Sequence, residues 1–469
     1  MPTLVYRICV LLSLILARVP LGTNLGLLHL LIALLSGRFL WARGAVLPAL
    51  SSLGLSDAQV RRSEAALCYG RWQAEDLFAR WQQAVAQEGH FVPCDYEGVR
   101  PVACDLTAFF RPRLRGPGGG PLDSRHYAGA AGRALPTVVL GLCAPVGRIG
   151  GTRLALPRLL VRRAPEEGEA DLQRRLVAQA AQTLAPAEAR VVDAGFGLAD
   201  LLGVPDVRFV SRVRVNQTAR RRTPPAYTGR GRRPQRGELV RPLARTRAGR
   251  VIEATPPDET ACWADGTHRL RAEVWEALVL PDAKPDAKPD AKPDAKPFRL
   301  VAIHDPRYPE PLLLANNLAV SAHALWRLYR DRWAVEQLPL SAKPMLGAER
   351  AFVSGAECRY RLPELALLAG SVLSYVAATS APVASGFWDR AARPTCGRLR
   401  RALARVRSEH YEHYEHYEEL PVLGEQLRRK IRKKNSITSH LKTGVEAHRR
   451  HKAAETPSGA DHASAFTGK

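Results

Sequence analysis

Four residues able to handle a phosphate stand close together in LYRDRWAVEQLPLSAK, residues 328–343. They are Tyr329, Arg332, Glu336 and Lys343, spaced Y-x2-R-x3-E-x6-K. On an ideal helix at 100° per residue these positions fall within roughly 60° of one another. One face then presents a phenol, two cations and an acid. Arg332 and Glu336 alone would be an ordinary i, i+4 surface pair. Together with the other two they can do more: a guanidinium grips phosphate bidentately, an ammonium acts as a point charge, and a phenol donates one hydrogen bond. Two further acids close apolar runs, Asp105 in CDLTAFFRPRL and Asp193 in RVVDAGFG. The three acids are separated by 88 residues (105 to 193) and 143 residues (193 to 336).

Positioning such a set requires a mixed α/β framework, and the texture of the chain supplies one. VAC before Asp105, TVVLGL at 137–142, RVV before Asp193 and RLVAI at 299–303 read as strands. VRFVSRVRV at 207–215 alternates Arg and Val at its end, as a strand with one charged face would. A helical run begins near Val320. Strands followed by helices in one domain point to a mixed core. Residues 1 to about 95 read as helical, with helical apolar spacing over Ser56–Cys68 and Gln73–Ala86 and Ser56 as an N-cap. The stretch GLSDAQVRRSEAALCYGRW fits part of a helix-turn-helix and equally a plain bundle. Pro339, between Glu336 and Lys343, lacks a backbone donor and is expected to kink or end its helix.

The charge balance narrows the partner. The 469 residues carry 69 Lys and Arg against 45 Asp and Glu, a net charge of +24. Excess charge of that size points to a polyanion, and phosphate neutralisation makes nucleic acid the first choice. Ser211–Arg250 holds thirteen arginines against Glu238 alone and includes Arg230, Arg232 and Arg233 in GRGRRPQRG. Leu427–Lys452 holds ten Lys or Arg against Glu446 alone. Blocks of one sign usually remain solvated, but Gly and Pro between arginines permit an extended path along a phosphate backbone. Eight scattered cysteines without a CxxC pair read as reduced thiols of a cytosolic protein, and no zinc site is suggested. The apolar runs Ile8–Ala17 and Leu25–Leu35 read as two buried helices at the head of a helical domain. A signal peptide is the alternative, since Arg7 precedes a stretch of suitable length. PDAK, repeated four times over Pro281–Lys296, reads as a solvated spacer. HYE, repeated three times over His410–Glu418, reads as a tandem expansion on an exposed helix rather than a metal site at His410, His413 and His416.

The Y-x2-R-x3-E-x6-K segment resembles the Tyr-Arg-Glu-Lys signature of bacterial insertion-sequence transposases of family four, a branch of the DDE superfamily. CDLTAFFRPRL and RVVDAGFG resemble the segments around that family's two catalytic aspartates, so the likeness covers roughly residues 95–400. It implies a ribonuclease-H-like core with a β-rich insertion before the third acid. It also implies catalysis by Asp105, Asp193 and Glu336 holding two Mg²⁺ ions, with Mn²⁺ as a substitute, and phosphate contacts from Tyr329, Arg332 and Lys343. Three carboxylates suit Mg²⁺, which takes oxygen ligands and keeps several waters. Two such ions can activate the attacking oxygen and stabilise the leaving one in an in-line displacement. The family stacks a flipped base on an aromatic residue of the insertion, where Trp263 and Trp275 lie here.

The expectation is a cut-and-paste transposase acting on double-stranded DNA, at terminal inverted repeats and a target, as a homodimer in the cytoplasm on the nucleoid, without membrane association. Its parts would be a helical DNA-end recognition domain (1–95), a ribonuclease-H-like catalytic domain (96–400) with an Arg-rich insertion at about 205–300, and a basic C-terminal region (401–469) whose block Leu427–Lys452, like Arg230, Arg232 and Arg233, contacts DNA. The alternatives are a nuclease on the same fold that does not join strands, and a DNA-binding relic without catalysis, against which the presence of all three acids speaks, although the two tandem expansions point to a drifting gene copy.

Overall fold

The computed structural model describes residues 2–111, 125–128, 131–164, 166–229, 233–281, 296–350, 352–353, 355–406 and 425. Most of the PDAK repeat, the HYE repeat, the basic block at 427–452, Arg230 and Arg232 lie outside the described residues.

The chain opens with helices α1 (Pro2–Ile15) and α2 (Thr23–Leu35), followed by α3 (Asp57–Tyr69) and α4 (Ala74–Glu88). α2 is apolar around its whole circumference and is buried accordingly from Gly26 to Leu35. Its contact with α3 is close: a methyl at Gly26 would lie 2.6 Å from the Ala66 Cβ and 2.9 Å from the Arg62 carbonyl. Ser56 precedes α3 as expected, and its backbone N–H donates to the Gln59 side chain at 2.8 Å. These helices pack in the same compact unit as the sheet, and a late helix holds them there. Among the described residues that helix, Cys358–Thr379, is the one long and apolar enough to cross a membrane, yet 89% of its apolar window is buried inside the fold. Trp81 of α4 is wholly buried against it, donating its indole N–H to the Ser371 hydroxyl at 2.9 Å and meeting Tyr375 edge-on.

The expectation of reduced thiols is corrected at one pair. Cys68, at the end of α3, and Cys358, at the start of the buried helix, form a disulfide with their Cα atoms 5.0 Å apart. They are 290 residues apart in sequence, and only the packing of the two helices brings them together. Cys9, Cys94, Cys104, Cys143, Cys262 and Cys396 are free.

His29 of α2 yields a prediction about this helical layer. Its ring lies 3.1 Å from the Ser63 hydroxyl of α3, and burial, helped by the charge of Arg62, lowers its pKa to about 4. In the unfolded chain the ring titrates near 6.5. Its stabilising contribution is therefore complete above about pH 6.5 and is lost as pH falls toward 4, since the unfolded state binds the proton first. The loss amounts to roughly 3 kcal/mol across that window. His29→Leu should remove this part of the acid sensitivity, because Ser63 keeps its bond to the Gln59 carbonyl. Urea unfolding of both chains at pH 7 and pH 4 measures it, and equal pH dependence would count against the assignment.

The sheet begins with β1 (Arg100–Phe110), β2 (Arg133–Ile149) and β3 (Leu159–Arg162). Helix α5 (Glu169–Ala181) then leads to β4 (Glu188–Val192), and α6 (Leu198–Gly203) to β5 (Phe209–Arg212). The spatial order is β3-β2-β1-β4-β5. The first three strands are antiparallel neighbours, and β4 and β5 run parallel to β1. Leu172, Leu176, Val177 and Ala180 of α5 bury one stripe against the sheet, and a methyl at Gly141 in β2 would lie 3.0 Å from the Leu176 side chain. All the strands read from sequence are present, but the one at 207–215 is shorter than expected. Its ladder with the partner strand ends at Arg212 opposite Leu314, beyond which one further bond runs from the Val213 N–H to the Leu313 carbonyl at 3.0 Å.

The segment between β5 and the site helix adds β6 (Ala219–Arg221), β7 (Glu259–Asp265), β8 (His268–Val279), β9 (Phe298–His304) and β10 (Leu312–Asn316). β10 pairs antiparallel with β5, followed outward by β9, β8 and β6, while β7 forms a hairpin with β8. The insertion therefore extends the central sheet. Helix α7 (Ala322–Asp331), capped by the Ser321 hydroxyl, returns the chain to β1 and β4, and α8 (Cys358–Thr379) is the buried helix already described.

Candidate active site

Asp105 lies midway along β1, and Asp193 is the first residue past β4. The parallel register pairs Ala103 with Val191, an offset of 88 that also separates the two aspartates. Continuing the ladder by two residues brings them level on neighbouring strands, and the period of two turns both side chains to one face. The third acid arrives from α7. The helix tightens into a 3-10 segment, Arg332–Glu336, that packs against β1 and β2.

Arg332 is the hub. Its guanidinium, almost fully buried, donates to the Glu336 carboxylate at 2.8 Å and lies 3.9 Å from an oxygen of each of Asp105 and Asp193. The Tyr329 hydroxyl donates to Asp193 at 3.0 Å. Three half-buried carboxylates thus share one buried cation. Burial, reinforced by Glu336 and Asp193, raises the Asp105 pKa to about 6 despite the opposing pull of Arg332. Burial also acts upward on Asp193, but the Ala194 N–H, Arg332 and Tyr329 outweigh it and hold that carboxyl below its usual range. Burial and the charge of Asp193 push the Tyr329 phenol up to about 12, so it remains a donor at neutral pH.

The carboxylates gather around Arg332 rather than around a point of their own, and among the described residues no group of three or more His, Cys, Asp or Glu is close enough to hold an ion as it stands. The donor set nonetheless has the chemistry of a hard divalent cation site: three carboxylates against one guanidinium, with Asp105 raised toward protonation chiefly by burial and further by its two acidic neighbours.

Lys343 is brought to the edge of this cluster. Pro339 does not end the helix. The chain passes from the 3-10 turn into a short α segment, Gln337–Leu340, and then a π-helical turn, Ser341–Met345. Pro339 has no N–H to donate, and it falls just after the change from 3-10 to α pitch, where the chain stays helical through it. The changes of pitch replace the single ideal face. Lys343 lies over the ring of Phe109, four residues beyond Asp105 on β1, with the ammonium 5.1 Å from the ring centroid. Burial, together with the charge of Arg111, holds its pKa below the usual value.

The remaining predicted residues are not part of this cluster. Arg233 is exposed on the loop between β6 and the Leu239–Val240 strand. Trp275 is wholly buried, donating to the carbonyls of Thr255 and Pro256, and belongs to the core. Trp263 packs beside His323 and Trp326.

Two residues that support the site went unmarked in the sequence. Asp331, immediately before Arg332, is wholly buried, held by the Tyr96 hydroxyl at 2.5 Å and by Arg153 at 2.8 Å. Arg111, at the end of CDLTAFFR, donates to the carbonyls of Ala348 and Glu349 and so ties β1 to the turn after Lys343. No protein-family model matches the chain, and no curated protein matches it.

Proposed function

We propose that this protein is a DDE-type transposase that cleaves DNA at the ends of its own element and joins them to a target. The convergence of Asp105, Asp193 and Glu336 on Arg332 carries this reading, because residues 231 positions apart meet at one buried cation. The strand order β3-β2-β1-β4-β5, with three antiparallel strands followed by two parallel ones, supports a ribonuclease-H-like core. The basic charge of the chain supports a DNA substrate.

In this reading Asp105, Asp193 and Glu336 would hold two Mg²⁺ ions, which when bound would supply Lewis acidity for an in-line displacement at phosphorus. Arg332 draws the three acids together and offers a guanidinium to a phosphate. Tyr329 fixes the rotamer of Asp193 through its hydrogen bond and keeps its proton while doing so. Asp331 and Arg111 set the positions of the 3-10 turn and of the segment after Lys343, respectively. Lys343, poorly solvated beside Phe109, supplies a charge for the phosphate flanking the cut.

The DNA flanking the gene supplies the substrate for the test. Linear DNA carrying those flanks and incubated with the full chain and Mg²⁺ should be cut at matching inverted repeats. Absence of specific cutting with either Mg²⁺ or Mn²⁺ would overturn the proposal. Within this scheme Lys343→Ala should lower cleavage and end joining on the order of tenfold to a hundredfold, the scale of one or two charge-assisted contacts, without loss of fold. Pro339→Ala should leave activity intact. Single-turnover rates on pre-cleaved and uncleaved ends separate these outcomes, and full activity in the Lys343 variant would remove that residue from the site.

A further inference from the structure

Behind the site helix lies a second cleft, of about 260 Å³. Residues 323, 326, 327 and 330 of α7 line it, and on an ideal helix their mean direction lies roughly 140° from that of Tyr329 and Arg332, with Trp326 nearest to Tyr329. Arg148 and Arg153 line its opposite wall. Its two acids are already engaged. Asp331 is held by Arg153 and the Tyr96 hydroxyl, and Asp265 is shared by Arg307 at 2.9 Å and Arg330 at 3.4 Å.

Two cations stand without an acid. Arg148 meets the Tyr96 oxygen, at 3.4 Å, and the Cys94 thiol, while Arg327 lies over the Tyr96 ring, 4.5 Å from its centroid. Neither forms an ion pair with a carboxylate among the described residues. Two guanidinium groups thus flank one phenol in a cleft whose acids are neutralised. The volume is below that of a typical organic-ligand pocket and suits a small ionic group. Arg327 and Arg330 are exposed, so the guanidinium lining continues onto the surface, as a strand passing through would require.

We propose that this cleft binds a backbone phosphate of DNA, gripped by Arg148 and Arg327 on the face of α7 opposite the three acids. The inference rests on the transposase reading for its ligand. It adds a contact that the Tyr-Arg-Glu-Lys pattern does not contain. The placement gives that contact a purpose. The floor of the cleft, Asp331, and the hub of the acid cluster, Arg332, are consecutive residues, so a strand seated behind α7 would bear on the turn that positions Glu336.

The test uses the full chain, an Arg148→Ala/Arg327→Ala variant and the single Arg327→Ala variant, which alters one exposed residue and tests the idea should the double variant misfold. Binding of a duplex carrying the flanking DNA is measured against salt. The slope of log affinity against log salt should fall by about 0.9 for each phosphate that is no longer neutralised, and Arg327→Lys should restore part of it. Unchanged slope and affinity in both Ala variants would overturn the proposal. Inorganic phosphate and a nucleoside monophosphate are run as separate probes. Millimolar binding of either that needs Arg148 and Arg327, with duplex affinity unchanged, would make this a free-anion site and also overturn it. The two readings fail separately. A chain that loses duplex affinity as expected but never cuts keeps the cleft and loses the transposase. A double variant with unchanged duplex affinity in a chain that cuts and joins does the reverse.

Discussion

Asp193→Asn should leave the fold and DNA affinity in place while lowering cleavage on the order of a thousandfold or more. A metal contributes several kcal/mol of charge stabilisation to the transition state, and each 1.36 kcal/mol is about a tenfold change in rate. The amide preserves size and the acceptor for the Tyr329 hydroxyl, which lies 3.0 Å from Asp193, but it removes one of the three charges facing Arg332. Asp105→Asn and Glu336→Gln should give the same result for the same reason. The effects of the three single variants should fall well short of additive when combined, because the carboxylates act as a unit. Cleavage of labelled element ends under single-turnover conditions, alongside a gel-shift measurement of affinity, reads both quantities. Substantial cutting by the Asp193 variant would remove that residue from the catalytic set.

Arg162→Met should destabilise the protein by roughly 3–5 kcal/mol, the cost of removing one member of a buried ion pair. Glu364 lies on α8 and is almost fully inaccessible, and Arg162 of β3 grips both of its carboxylate oxygens, at 2.5 and 2.8 Å. A second carboxylate, Glu357, lies 2.8 Å from the same guanidinium. Burial raises the Glu364 pKa against the pull of Arg162, so without Arg162 the acid should take up a proton. The deficit should therefore shrink as pH is lowered, and Arg162→Met/Glu364→Leu should recover much of the stability. Chemical denaturation of the three chains measures this, and a loss below about 1 kcal/mol would show that the pair behaves as a solvated one.

The two aspartates were legible because an apolar run that stops at an acid leaves a local mark in the sequence, and VAC and RVV carry it, although β1 itself runs on through Asp105 to Phe110. Their common level was not legible. It depends on the register between β1 and β4, which equals their separation of 88 only because the chain between them folds as a β2–β3 meander and one helix. α3 and α4 announce themselves through helical apolar spacing and, for α3, the Ser56 cap. Trp275 could not be separated from Trp263 in sequence, since an indole in a β-rich segment looks the same on either face of the sheet. In the fold one is sealed beneath the Thr255 and Pro256 carbonyls and the other packs beside α7.

The single helical face drawn through Tyr329, Arg332, Glu336 and Lys343 assumed one pitch throughout. The 3-10 and π turns redistribute those positions, and helices of those types are packing-dependent departures that no local spacing announces. Asp331, one position before Arg332, carries no local mark that sets it apart in the sequence. Its burial arises from Tyr96 and Arg153, which are 235 and 178 residues away in sequence. The Cys68–Cys358 pair is hidden for the same reason: both partners are isolated in sequence and adjacent only through the packing of α3 on α8.

The most direct test of the central claim is a strand-transfer assay. Pre-cleaved duplex ends bearing the inverted repeat and a free 3′-hydroxyl are incubated with the full chain, Mg²⁺ and a supercoiled target plasmid, and the products are sequenced across the junctions. The account predicts covalent joining of the 3′-hydroxyl ends to the target, flanked by short target duplications after repair, and no joining with Glu336→Gln. Cutting of uncleaved ends without any joined product would instead identify a nuclease on the same acids and contradict the claim that this chain moves DNA.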